Sequence, residues 1–376
     1  MFLMMAEVLH LGRMARQFPE SRVWGFLAHH QSHIEWIGCT LHDLIQPSFS
    51  FLVGTALAFS VANRQARGQA FAPMLGHAAW RAFLLSALGI LLRSVGASQT
   101  NYTFEDTLTQ IGLGYLPLFL VAQRPRRDQW VAFALILVGT WAAFAWYPVA
   151  GADHDFERVG VSRDWLASHG LTGFAAHWQK NANLAWAADV WFLNLFPRAS
   201  AFVYNGGGYA TLSFVPTLAT MILGLLAGGI LRGDGEPKRR VTRLLTLGVA
   251  FLLAGALVGA VGLCPVVKRI WTPSWVLYSG GWCLLLMAGF YAVVDWQAGK
   301  PVAFPLVVIG MNSITAYCIA HLWEGFVISS LKTHLGAGVF EFLGKEYAPV
   351  LQGSAVLLVF WLILYWMHRN KVLVRI

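Results

Sequence analysis

The amino-acid sequence predicts an all-α fold, a polytopic bundle of about ten membrane-spanning helices, on three observations. Of 376 residues, 57% are hydrophobic and 12% charged, about half the charged share of an ordinary soluble domain. Long apolar runs recur along the chain, each near the roughly 20 residues needed to cross a hydrocarbon layer of about 30 Å. Lysine and arginine gather in short connections between those runs, and the 17 tryptophans suit helix ends at headgroup depth.

Taken in order, the chain opens with "MFLMMAEVLHLG". Twelve residues rise only about 18 Å as a helix, too little to cross. A basic start and a small-residue cleavage site are missing, so it is not read as a signal peptide. It reads as the outer part of a first span whose inner part is absent or shortened. Nine full spans follow, at 44–63, 77–95, 108–122, 128–147, 211–231, 243–263, 274–294, 303–325 and 351–368. The connections "NRQARGQ", "AQRPRRDQ" and "LRGDGEPKRRVTR" and the tail "HRNKVLVRI" are short and basic. Longer and more acidic segments alternate with them, at 13–43, 96–107, 148–210, 264–273 and 326–350. Every basic connection then falls on one side, which the positive-inside rule makes the cytoplasm, together with the C-terminus. Residues 33–43 fall on the other face, the periplasmic side if the membrane is a bacterial inner membrane. The segment 148–210 reads as short amphipathic helices lying over that outer surface, an insertion in a single domain covering 1–376.

Composition also sets aside several function classes. The net charge of +9 sits in the connections between spans, a topogenic pattern, so nucleic acid is not an expected partner. Cys39, Cys264, Cys283 and Cys318 are scattered without a CxxC or ligand spacing, which predicts neither a disulfide framework nor zinc. Gly206, Gly207 and Gly208 have no lysine after them and open a span, so they read as a flexible connection rather than a phosphate loop.

The chemistry-bearing stretch is "HIEWIGCTLHDLIQP", residues 33–47. A carboxylate at the bilayer edge needs a partner or a function, and Asp43 is such a group. His33 is its natural partner, because an imidazole beside a carboxylate has a fixed tautomer and the basicity of a general base or transient nucleophile. Glu35 and Glu7 are alternative acids for the same role, and Glu7 lies inside an apolar run. His29 and His30 stand nearby, but their spacing matches no common zinc pattern and no metal is expected. Asp43, Gln46, Ser50 and Gly54 share one helical stripe, which suits either a polar tunnel or close helix packing. Two further polar islands interrupt apolar spans: Lys268, Trp271, Thr272 and Ser274 in "PVVKRIWTPSWVLYSGGW", and Asn312 with Ser313 in "GMNSITAY".

Together, "HIEWIGCTLHDLIQPSFSFLVGTALAFS", "WRAFLLSALGILLR", "YATLSFVPTLATMILGLLAG", "VKRIWTPSWVLYSGG" and "GMNSITAYCIAHL" resemble the heparan-α-glucosaminide N-acetyltransferase family, and more closely its bacterial branch. The resemblance runs in order through nearly the whole chain, although the family's "LDxxRGL" lead-in is missing. It implies that acetyl-CoA, a co-substrate, arrives from the cytosol, and that its acetyl group passes to the amine of a glucosamine on the opposite face. It implies His33 as the catalytic histidine, Asp43 as the motif's aspartate and Asn312 as the asparagine of "GMNSI". Glu7 stands in the first span, where animal members carry an active-site asparagine. On this reading Asn312, Ser50 and Gly54 line the path of the pantetheine arm. Arg127 and Arg240, among Arg124, Arg126, Lys238 and Arg239, face the nucleotide. Glu35, Trp36, Lys268 and Trp271 meet the acceptor sugar, Lys268 also serving the tetrahedral oxyanion. The lipid bilayer is the other partner, and a homodimer is compatible with the family. The competing reading is an amino-sugar permease of the inner membrane, against which the lack of an inverted repeat tells weakly.

Overall fold

The computed structural model describes residues 1–374 except positions 152, 298 and 337. The end of the basic tail, 375–376, and single positions in the segments 148–210 and 326–350 therefore lie outside the described residues. Helices α1 (Phe2–Met5), α2 (Leu11–Gln17) and α3 (Arg22–His30) come first. They are followed by α4 (Ile45–Ala66), α5 (Phe71–Ser94), α6 (Thr107–Ala122) and α7 (Arg126–Trp146). Short helices α8 (Arg163–His169) and α9 (Leu184–Phe192) occupy the long connecting segment. The remainder is α10 (Phe214–Arg232), α11 (Pro237–Ala260), α12 (Pro273–Phe290), α13 (Lys300–Met311), α14 (Ser313–Leu322), α15 (Glu324–Leu335) and α16 (Ala348–Arg369).

The fold is all-α, as expected: among the described residues the β-structure is one isolated bridge between Ile37 and Val267. Among the described residues, seven helices are long and apolar enough to cross a membrane, and α13 with α14 makes an eighth if the pair, bent by 71°, is counted as one span. The chain is thus a multi-pass integral membrane protein. Each of the nine expected spans has a helix, but α6 is shorter than a crossing and the count by length is seven or eight. Asp106 sets the start of α6, its carboxylate accepting from the amides of Leu108 and Thr109. The expected straight span 303–325 is broken at Asn312, where the backbone leaves the helical region (φ −123°, ψ 49°).

The contacts divide the chain into two compact units, Met1–Ile34 with Thr40–Ile45 and Val293–Ile376, and Glu35–Cys39 with Gln46–Ala292. In the first, the opening residues do not continue as one helix. A 3₁₀ turn over Ala6–Leu9 ends at His10, whose φ of 48° is left-handed. Gln31 repairs that break: its amide nitrogen donates to the Ala6 carbonyl at 2.7 Å and its oxygen accepts from the Leu11 amide at 2.7 Å. Two backbone groups freed by the turn are thereby satisfied. Helix α16 packs on this segment at Gly353, where a Cβ would overlap the Val8 carbonyl oxygen.

In the second unit α10 is buried along most of its length, packed against α6, α7 and α12. It also touches α4 through glycine: a Cβ at Gly54 would overlap the Met221 carbonyl, and one at Gly224 would overlap that of Phe51. Small residues let backbones meet this closely in lipid, where van der Waals packing replaces the hydrophobic drive. The segment 148–210 is held by a core containing Trp36, Trp178, Phe144, Val267 and Ile270.

Candidate functional site

The first unit gathers the titratable groups of the threshold motif. Asp43 lies in a 3₁₀ turn, His42–Leu44, that leads into α4. Its side chain is 1% exposed, and such a buried carboxylate must be surrounded by donors. Oδ1 meets Nδ1 of His33 at 2.8 Å. Oδ2 accepts from the amides of Ile34 and Thr40 at 3.2 and 3.0 Å, and from the Thr40 hydroxyl at 3.0 Å. Amide groups can only donate, so this oxygen is fixed as an acceptor and Oδ1 is turned toward the ring. The His33 proton is then assigned to Nδ1, leaving Nε2 as the basic nitrogen of a side chain that is 40% exposed. Sequence reasoning paired His33 with Asp43, and the structure brings them together.

Glu7 is brought to the same place, but to a different histidine. Nε2 of His42 lies 3.2 Å from a Glu7 carboxylate oxygen, and the His42 ring is centred 4.5 Å from that of His33. A third pair, His10 with Glu324, closes at 2.7 Å. His42, Glu7, His10, Glu324 and Gln31 line one polar cavity of about 350 Å³. His42, His10 and Glu324 are the site residues that sequence reasoning missed. The signal for His42 was its place one residue before Asp43, inside the motif itself. His29 and His30 pack ring to ring instead, and among the described residues no group of three or more His, Cys, Asp or Glu is placed to hold a metal ion.

The other candidate residues fall in the second unit, apart from Asn312. Glu35 accepts from the indole N–H of Trp165 at 3.4 Å, and the Lys180 ammonium lies 4.9 Å from the centre of that ring. Burial pushes the Lys180 ammonium below its usual range; the Arg269 charge adds to this and Glu35 opposes it. Trp36 and Trp271 are not open to a ligand: both are fully buried, donating to the Trp178 carbonyl at 3.2 Å and to the Thr220 hydroxyl at 3.1 Å. They are packing pillars, since a buried indole needs an acceptor for its N–H. Lys268 is buried in the turn before α12.

Along the expected donor path, Gly54, Ser50 and Asn312 are engaged in packing and hydrogen bonds. Gly54 has no space for a ligand arm, because α10 fills it, and the Ser50 hydroxyl donates to the Gln46 carbonyl at 3.2 Å. Asn312, also in the first unit, is engaged at both ends: its amide nitrogen donates to the Val372 carbonyl at 3.1 Å and its oxygen accepts from the Val374 amide at 3.0 Å. It ties the C-terminal tail at the helix break. Arg127 is exposed, and Arg240 donates to the Tyr291 hydroxyl and the Gly233 carbonyl. Arg126 and Arg232 instead line a cavity of about 200 Å³ with Gln65 and Gln129.

No family model matches the chain. Among curated proteins it is similar to the human heparan-alpha-glucosaminide N-acetyltransferase, 26% identical over 335 residues, covering 78% of this chain and 49% of the human protein. The mouse protein of the same name is 25% identical over 333 residues, with 78% and 49% covered. The chain thus spans about half the length of the curated relatives it matches.

Proposed function

Starting from this likeness to heparan-alpha-glucosaminide N-acetyltransferases, we propose that the chain is a transmembrane N-acetyltransferase. It takes acetyl from acetyl-CoA on the side of the basic connections and passes it to the amine of a glucosamine-type sugar at His33. On this reading the whole chain, 1–376, is one acyltransferase domain in a bacterial inner membrane, with His33 facing the periplasm and the C-terminus the cytoplasm. Arg126 and Arg232, with Arg127 and Arg240 nearby in sequence, suit the anionic nucleotide end of the donor.

The observation that carries the proposal is the 2.8 Å bond from His33 to a buried Asp43 whose other oxygen is held by backbone amides. That arrangement keeps the ring in one tautomer and stabilises the imidazolium that forms when Nε2 takes a proton or the acetyl group. Helix α4 starts two residues beyond Asp43 and rises about 33 Å over its length, ending near Arg64 and Arg67. In the chain, the His33 motif precedes α4 and the basic connection with Arg64 and Arg67 follows it, which suits an acceptor and a donor on opposite faces.

Purified protein given acetyl-CoA and glucosamine should release CoA and form N-acetylglucosamine, and His33→Ala should not. The 71° break between α13 and α14 favours a second reading, since discontinuous helices form the substrate sites of many transporters. Proteoliposomes that accumulate unmodified glucosamine, with no product in the presence of acetyl-CoA, would establish the permease instead.

A further inference from the structure

We propose that Glu7 and His42 form a second histidine–carboxylate dyad, which removes the proton from the acceptor's ammonium while His33 handles the acetyl group. The proposal rests on the acetyltransferase reading above and assigns His42, which that reading leaves unused. Two imidazoles stand with ring centres 4.5 Å apart, each held by its own carboxylate. Their exposures are reversed. Asp43 is sealed while its histidine is open, whereas the His42 ring is 8% exposed and the Glu7 side chain 53%. A sealed carboxylate orients a ring; an open one on a polar cavity can receive a cation. Glu7, His42, His10 and Glu324 all line that cavity, so an ammonium entering it meets two carboxylates, each already fixed by an imidazole.

The chemistry needs a second base. At neutral pH an amino sugar arrives protonated, and its nitrogen has no lone pair until one proton leaves. In the dyad that proton goes to the His42 nitrogen not held by Glu7, and the resulting imidazolium is paired with the Glu7 carboxylate. The freed amine attacks the acetyl carbonyl carbon and the C–N bond forms. As the tetrahedral intermediate collapses, the bond to the leaving group breaks: the C–S bond in direct transfer, or the C–Nε2 bond if His33 carries the acetyl. The nitrogen's second proton goes to that leaving thiolate or imidazole. The sum is acetyl thioester plus ammonium giving thiol, amide and one proton, which His42 returns to water. His33 alone cannot do this in the acyl-histidine route, because its Nε2 is occupied by the acetyl group at the moment the ammonium must be deprotonated.

The charged groups around the dyad are few. His33 and the Asp43 it binds come from the same loop, Arg13 and Arg16 from α2, and the His10–Glu324 pair from the far wall. His321 of α14 is near enough to bear on Glu7 as well. His42→Gln keeps a polar side chain beside Glu7 and removes the basic nitrogen.

The test compares two acceptors with full-length protein and acetyl-CoA: glucosamine, protonated at pH 7, and hydroxylamine, whose nitrogen is not. His42→Gln should lose activity with glucosamine by up to the ratio of ammonium to free amine at the assay pH, stay near wild type with hydroxylamine, and regain glucosamine activity as pH rises through the sugar amine's own pKa. Glu7→Gln, nearly the same in volume, should show the same acceptor-selective loss. Equal losses on both acceptors, or none, would overturn the dyad while leaving the acetyltransferase reading intact. A wild-type protein inert toward both amines would overturn that reading, and the dyad with it.

Discussion

Asp43→Asn tests the orientation argument at the cost of a single atom type. In the native loop Oδ2 receives the amides of Ile34 and Thr40, with the single Thr40 hydroxyl proton shared between it and the Ser32 carbonyl, while Oδ1 faces His33. An asparagine has one acceptor, and two backbone amides outweigh one ring N–H, so its oxygen takes the Oδ2 position and its NH₂ turns toward the ring. His33 Nδ1 must then accept, the ring proton moves to Nε2, and the basic lone pair at the reacting position is gone. Where this wrong-tautomer substitution has been made in the serine-protease triad, the loss in rate is about 10⁴, or about 5.5 kcal/mol of barrier. The effect on stability is smaller, about 1.5–3 kcal/mol for one charge-assisted hydrogen bond, and lower here because His33 is partly exposed. The assay pairs initial rates of CoA release with the unfolding midpoint in detergent. A folded Asp43→Asn protein within about tenfold of wild-type rate would refute the reasoning, and so would an active His33→Ala.

Three further outcomes are expected. Gly54→Ala should destabilise the folded protein by about 1–3 kcal/mol, read as a lower unfolding midpoint, because the new methyl meets the α10 backbone rather than a movable side chain. Asp189, in the 148–210 segment, is raised by burial from 3.8 to about 6, against opposing hydrogen bonds from Thr211. The native state therefore binds the extra proton between those values, so stability should fall as pH rises through that window, by about 3 kcal/mol in all. Asp189→Asn should flatten that part of the stability-versus-pH curve; a wild-type curve already flat from pH 4 to 7 would contradict the burial argument. Gln31→Leu removes both bonds that hold the break at His10, and should raise the KM for the acceptor more than that for acetyl-CoA, since the cavity wall loosens while the second unit is untouched.

The helices were legible because a membrane span is written as an apolar run, and each of the nine runs has its helix. The break at Asn312 was not. No proline or glycine stands at that position, and the helix ends there because the amide side chain binds backbone of the tail some 60 residues on. A stripe of Ser50 and Gly54 could not be resolved from sequence, since a ligand tunnel and a helix contact both call for small residues. Only the facing α10 backbone decides for contact. Among the site residues, the pairing of His33 with Asp43 followed from the expense of a carboxylate at the bilayer edge. The pairing of Glu7 with His42 did not, because it depends on the left-handed turn at His10 and its clamp by Gln31, neither of which a hydrophobicity pattern records. Trp36 and Trp271 were ambiguous for a related reason: an indole beside polar residues suits a sugar platform as well as a buried pillar, and both are buried here.

On the proposed function, acetyl crosses from a thioester on the basic side to an amine on the side of His33. Sealed vesicles of known orientation, with labelled acetyl-CoA confined to the face of the basic connections and glucosamine to the other, test it directly. Labelled N-acetylglucosamine should appear on the glucosamine side, and His33→Ala should abolish it. Product that forms only when donor and acceptor share one side would contradict it.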